Sequence, residues 1–193
     1  MGIKKRLYNF LFDVFDMLSF LVFVCGIVLF IRFFVANPYT VVGASMDPTF
    51  KESDFIIVDK ITPRFGQLQR GDVIVFVPPG KDIPYIKRII GLPNETIKLN
   101  NGGVSICYSG INDCKKLDEK YLSNEVKTYG RCGISEFKID DKGYFAMGDN
   151  REFSTDSRCC FGLDCYQGSN YEVPFNNIIG KVYIRFFPNF STF

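Results

Sequence analysis

From Met17 to Ile31 the chain carries no charged residue, and past Arg32 the run Phe33–Ala36 stays apolar. With the Arg32 guanidinium snorkelling to the interface, Met17–Ala36 supplies the roughly 20 residues that one membrane span requires. Beyond Asn37 the pattern changes. Short stretches of alternating apolar positions are broken by Gly, Pro, Asn and Asp, and no segment there keeps a helical period. The alternation predicts strands over Thr40–Val42, Phe55–Asp59, Asp72–Val77, Tyr85–Ile90, Thr96–Leu99, Val104–Tyr108, Phe137–Ile139, Tyr144–Met147 and Ile179–Phe187. "KLNNGGVSI" reads as a hairpin, because Asn-Gly and Gly-Gly tolerate positive φ. The expected fold is mostly β, an antiparallel sheet preceded by one N-terminal transmembrane helix.

The polar sequence gathers between residues 95 and 143, which also hold three cysteines. This divides the chain into a short N-terminus (1–16), an anchor (17–36), a main β domain (37–94 and 144–193) and an inserted β-rich subdomain (95–143). Lys4, Lys5 and Arg6 precede the span, against Arg32 and Lys51 soon after it. That bias predicts a cytoplasmic N-terminus, with the remaining residues on the outer side of the membrane. A cleaved signal peptide is the competing reading, but the apolar run is long for one and Pro38 crowds any cut.

Composition narrows the chemistry. The 193 residues suit one domain with a subdomain, and a 47% hydrophobic content can build its core. A net charge of 23 − 21 = +2 gives no reason to expect a nucleic-acid partner. There is no histidine, so acid/base work must fall to Lys, Asp, Glu, Tyr or Cys. Of seven cysteines, Cys25 lies in the apolar run. Cys107, Cys114, Cys132, Cys159, Cys160 and Cys165 follow it. Six cysteines beyond a membrane segment imply an oxidising compartment and up to three disulfides, with 15 connectivities open. Adjacent Cys159 and Cys160 should bond to different partners. Cys107 and Cys114 are near enough to close a small loop, and Cys132 needs a distant partner. No CxxC motif and no histidine supports a metal site, and no cofactor is expected.

Four pieces carry chemistry together: "GASMDPT" around Ser45, "GDVIVF" at Gly71–Phe76, "YIKRIIGLPNE" at Tyr85–Glu95 and "GDNREFSTDSR" at Gly148–Arg158. Each alone is a turn or a strand. In this order behind one anchor, and with "VPFNNIIGKVYIRFFP" near the end, they resemble the type I signal peptidases over nearly the whole chain.

The resemblance implies a membrane-anchored serine endopeptidase that removes signal peptides from exported preproteins, with Ser45 as nucleophile and Lys87 as general base. A solvated lysine is protonated at neutral pH and cannot take a proton from serine. Desolvation disfavours the ammonium, and Ile86, Ile89 and Ile90 offer apolar neighbours. Lys87 should therefore enter an apolar pocket, while Arg88 points the other way along the strand. The family pattern gives Ser154 the task of holding the Lys87 amine. It makes Asp156 and Arg158 a scaffolding ion pair, with Arg88 as a further partner. It leaves the Asp149–Asn150 turn near the site and Ser157 without assigned tasks.

The Ser45 N–H is the expected oxyanion donor. Gly43 stands where some relatives carry a second, hydroxyl donor, so that donor is unassigned. Substrates with small residues at −1 and −3 should add to an exposed strand edge, over shallow pockets walled by Val41, Met46 and Ile86. Ser45 follows the span by about eight residues, which keeps the site within roughly 30 Å of the lipid. The expected partners are signal peptides and the bilayer. The ten residues Leu163–Glu172 depart from the family and suggest a disulfide-held loop beside the site. They leave room for a specialised processing peptidase of the same superfamily, for example one that matures a conjugative pilus subunit. A non-enzymatic, disulfide-stapled binding domain is the reading from another class. A self-cleaving repressor would need a DNA-binding segment.

Overall fold

The computed structural model describes residues 2–108, 114–165 and 171–193. Helix α1 spans Gly2–Phe30 and winds into a wider turn at Ile31–Val35. Within it, Tyr8–Val35 is long and apolar enough to cross a membrane, and none of its hydropathic window is buried against the rest of the chain. The helix thus begins well before Met17, because the polar residues ahead of the apolar run continue its winding.

Two antiparallel sheets follow. The larger contains β1 (Ala36–Thr40), β2 (Phe55–Asp59), β3 (Val73–Phe76) and β4 (Tyr85–Gly91). It is completed by β9 (Gly143–Met147), β10 (Val173–Pro174), β11 (Ile178–Phe187) and β12 (Ser191–Thr192). Their spatial order is β1-β2-β11-β3-β4-β9-β10, with β12 paired to β11. The smaller sheet has β5 (Glu95–Asn100), β6 (Gly103–Tyr108), β7 (Cys114–Lys116) and β8 (Glu136–Lys138), ordered β7-β6-β5-β8. The sole helix between β2 and β3 is the single turn α2 (Thr62–Phe65).

The first strand lies earlier than its alternation predicts: Ala36–Thr40 rather than Thr40–Val42. Pro38 argues against a strand by pattern, but β1 is an edge strand, where a missing N–H costs no ladder bond. The expected hairpin forms between β5 and β6, with Asn101 at φ 52° and Gly102 at φ 73° as a turn of positive φ values.

All four residues of β3 are buried, because both faces of the larger sheet are covered. Val73 and Val75 join Val41, Met46, Phe50, Ile56, Val58 and Val182. On the opposite face, Ile74 and Phe76 join Leu68, Ile89, Ala146 and Phe161. A third core locks β4 and β9 to the smaller sheet through Ile90, Phe145 and Met147 against Ile97, Ile106 and Phe137.

Three disulfides connect Cys107 to Cys114, Cys132 to Cys159, and Cys160 to Cys165. The adjacent pair bonds to different partners, and the distant partner of Cys132 is Cys159. Of the loop Leu163–Glu172, residues 166–170 lie outside the described residues.

Candidate active site

Ser45 lies in the turn that follows β1. Its neighbours anchor that turn: Val41 and Met46 are buried in the core beneath the site. The Phe50 N–H donates to the Met46 carbonyl at 2.9 Å. Gly43 takes φ +82°, a left-handed conformation that favours glycine, and it brings no side-chain donor.

Lys87 comes from the middle of β4, opposite Ile74 of β3. Its Nζ lies 2.7 Å from Ser45 Oγ and donates to the Ile86 carbonyl at 2.9 Å. Only 3% of Lys87 is exposed. Burial pushes its amine down to about 8, and nearby Arg158 adds to the lowering, while Asp156 and Asp149 pull the other way. Among the described residues no carboxylate forms an ion pair with it. A lysine in this state is partly neutral near physiological pH and sits within proton-transfer distance of a serine hydroxyl.

The segment from Gly148 to Arg158 walls the other side. The Asn150 side-chain amide donates to the Ala44 carbonyl at 2.9 Å, and its backbone N–H donates to the Ser45 carbonyl at 3.1 Å. Asp149 accepts from Thr49 at 2.5 Å, and from Arg88 Nη2 and Nε at 2.6 and 2.9 Å. Arg88 also donates to the Gly71 carbonyl at 2.8 Å. Its buried partner is thus Asp149 and not Asp156, which corrects the expected pairing. Adjacent strand residues face opposite ways, so Arg88 leaves the β4 backbone away from Lys87.

Asp156 and Arg158 do form a buried, two-armed ion pair, with Nη2 and Nε at 2.8 and 2.9 Å. Burial alone would raise the Asp156 carboxyl; the Arg158 guanidinium and the Gly148 N–H more than offset this and hold it below the usual carboxylate range. Asp156 Oδ2 accepts from Gly148 N–H at 3.1 Å, which fastens this pair to the GDN turn. Ser157, which the sequence left without a task, accepts from the Ala146 N–H at 2.9 Å and ties the segment to β9.

Two expected site residues take other places. Ser154 is buried beside Gly148, where a Cβ would collide with both the Ser154 hydroxyl and the Ser45 carbonyl. The Ser154 oxygen has no hydrogen-bond partner in good geometry, so it does not hold the Lys87 amine in this structure. Met46 is 1% exposed and packs among Val41, Phe50 and Ile56. It does not line the cleft, because its side chain is taken up by the core beneath the turn.

A cleft of ≈ 590 Å³ opens in front of Ser45 and Lys87. Val41 and Ile86 line it, joined by Tyr39, Val75, Phe153 and Thr155. Two further contributions lay beyond the sequence reading. One is the Asn150 clamp, for which "GDN" offered only a turn signal. The other is Arg151, which bonds Thr128 at 2.5 Å and Glu119 at 2.5 and 3.0 Å, joining the site segment to the loop between β7 and β8.

Residues 14–187 match the family described as signal peptidase, peptidase S26. The chain is 33% identical to signal peptidase I of Bacillus licheniformis over 157 residues, covering 78% of this chain and 81% of that one. It is 37% identical to signal peptidase I P of Bacillus subtilis subsp. natto over 161 residues, covering 78% and 83%. A crystal structure of a signal peptidase I from Enterococcus faecalis V583 aligns with 26% identity and a TM-score of 0.43, covering 60% of this chain and 96% of that one.

Proposed function

The chain belongs to the signal peptidase family, peptidase S26, and from that premise we propose that it is a membrane-anchored serine endopeptidase that cuts signal peptides from exported preproteins, with Ser45 as nucleophile and Lys87 as general base. The observation that carries the assignment of roles is the 2.7 Å contact between Lys87 Nζ and Ser45 Oγ at a lysine held in a dry site.

The chemistry follows from that contact. The neutral Lys87 amine takes the Ser45 proton as Oγ attacks the carbonyl carbon of the residue at −1. The negative charge on the carbonyl oxygen is met by the Ser45 N–H. Collapse of the tetrahedral intermediate breaks the C–N bond, and the Lys87 ammonium gives its proton to the leaving amine. Lys87 then deprotonates a water, which attacks the acyl-serine ester and restores Ser45. Asp156 and Arg158 act as scaffold, since their charges neutralise each other at 2.8 Å. Ser154 is assigned to the wall behind the dyad.

The substrate enters as an extended strand, with small side chains at −1 and −3 facing Val41 and Ile86. The anchor is α1. Lys4, Lys5 and Arg6 ahead of its apolar span favour a cytoplasmic N-terminus, and three disulfides suit an oxidising space on the far side of the inner membrane. The larger sheet (37–94 and 144–193) is assigned the catalysis, and residues 95–143 form the insertion.

The test is one assay with three full-length proteins in detergent: wild type, Ser45→Ala and Lys87→Ala. The substrate is a preprotein with Ala at −1 and −3. Both variants should lose activity by about a thousandfold or more. Full activity in either overturns the assignment.

A further inference from the structure

Phe153 is 77% exposed, yet its backbone is held on both sides. Arg131 donates through Nη1 to the Ser154 carbonyl at 2.9 Å and through Nη2 to the Glu152 carbonyl, the two residues that flank it. The Phe153 N–H donates to the Asn150 carbonyl at 3.2 Å. One residue beyond Arg131, Cys132 is bonded to Cys159, which fixes the same two segments to each other at a Cα–Cα distance of 5.4 Å. An exposed loop aromatic ordinarily moves with its loop. Here the ring stands in water on a backbone with little freedom.

The ring also lines the cleft in front of Ser45 and Lys87. Two other lining residues are large, apolar and open to water: Val42, 81% exposed, and Ile83, 62% exposed. They come from three separate segments of the chain and meet around one opening. An apolar rim of this kind on a site marks a binding contact. The occupant follows from the cleft itself. An extended peptide whose −1 and −3 side chains face Val41 and Ile86 must turn its −2 side chain the other way, toward the mouth.

We propose that Phe153, presented by Arg131, is a specificity-determining residue that packs against the substrate side chain at −2 and gives this chain a preference for a large apolar residue there. This rests on the reading of the cleft as the site of signal-peptide cleavage. A leucine at −2 would cover apolar surface that now meets water, whereas serine covers little of it and aspartate loses hydration beside the apolar rim. Arg131 acts as a positioning residue, since its guanidinium bonds the backbone on either side of the ring.

The experiment uses full-length protein in detergent and a preprotein series with Ala at −1 and −3 and Leu, Ala, Ser or Asp at −2, with a parallel series varied at +1. Wild type, Phe153→Ala, Phe153→Leu, Arg131→Met and Arg131→Lys are compared. Wild type should favour Leu over Ser at −2 by roughly fivefold to tenfold in kcat/KM, expressed mainly in KM. Phe153→Ala and Arg131→Met should bring that ratio within about twofold, while Phe153→Leu and Arg131→Lys keep part of it. The pH midpoint of the rate should not move in any variant. An unchanged −2 ratio in Phe153→Ala, or a change confined to +1, overturns the proposal and leaves the peptidase reading standing. Failure of wild type to cut any member overturns that reading and this one with it.

Discussion

Asn150 holds the nucleophile's turn by two hydrogen bonds, one from its side-chain amide to the Ala44 carbonyl and one from its backbone N–H to the Ser45 carbonyl. The two carbonyls belong to Ser45, the proposed nucleophile, and to the residue before it. The clamp therefore sets where Ser45 Oγ stands relative to a strand from a distant part of the chain. Lys87 is fixed from the other side by its bond to the Ile86 carbonyl.

Replacing Asn150 by Ala removes one of these bonds and keeps the other. We expect kcat to fall by about 10- to 100-fold with little change in KM, because an ångström of misplacement costs rate rather than binding. Thermal unfolding should shift by only a few degrees. Steady-state kinetics on a preprotein, read beside the melting curve, checks this. A loss carried by KM alone argues against a positioning task.

The proposed reaction needs Lys87 neutral, and burial lowers its pKa to about 8. Below that pH the ammonium dominates and the rate falls tenfold per unit; above it the rate levels off. At pH 6 kcat/KM should stand about a hundredfold under the plateau. A rate profile between pH 5.5 and 9.5 reads this directly. A flat profile over that range counts against a lysine base.

The same lowered pKa makes a statement about stability. An unfolded lysine keeps its proton up to about pH 10.4, whereas in the folded state Lys87 loses it near 8. Between those values the unfolded chain binds more protons, so wild-type stability rises with pH through that window and is lost as pH falls toward 8. Lys87→Met should therefore stabilise the protein at pH 7 by up to about 3 kcal/mol, with the gain shrinking toward pH 10.5. Urea unfolding of the two proteins at pH 7 and pH 10 tests the sign. Equal differences at both values count against it.

Arg88 and Asp149 form a buried pair with side chains 8% and 0% exposed. Removing one partner leaves a buried charge. Arg88→Met should cost about 3–5 kcal/mol, and the double variant Arg88→Met, Asp149→Leu should recover part of that loss. Because Asp149 also accepts from Thr49, complete recovery is not expected. A double-mutant cycle by denaturant unfolding provides the measurement, and strict additivity would contradict a coupled pair.

The strands whose residues alternate against one covered face were legible: Phe55–Asp59 lies where its pattern places it. The meeting of Ser45 and Lys87 was legible through motif pieces far apart in sequence, read by their resemblance to a family. Long-range hydrogen bonding was not. Nothing local to "GDN" says that Asn150 will reach Ala44, or that Asp149 and not Asp156 will take Arg88. Those choices depend on how β4 and β9 register, Arg88 opposite Met147, which alternation alone does not encode. Met46 was misplaced for a related reason. A turn has no fixed period, so which of two neighbours faces the core is set by the core's open space. Edge position, likewise invisible in sequence, is what admits Pro38 into β1.

The strand that begins the larger sheet also begins where the membrane helix stops. Val35 closes the helical winding and Ala36 opens β1, which pairs with β2 at every one of its residues from Ala36 to Thr40. No slack separates the anchor from the cutting edge. The height at which a bond is cut is then a ruler built into α1, and inserting one helical turn would raise the blade by about 5 Å. A soluble tether would let the sheet swing and sample bonds at many heights. On the proposed reading, this connection holds the sheet at one height above the lipid, and the small residues at −1 and −3 are then read among the bonds that reach that height.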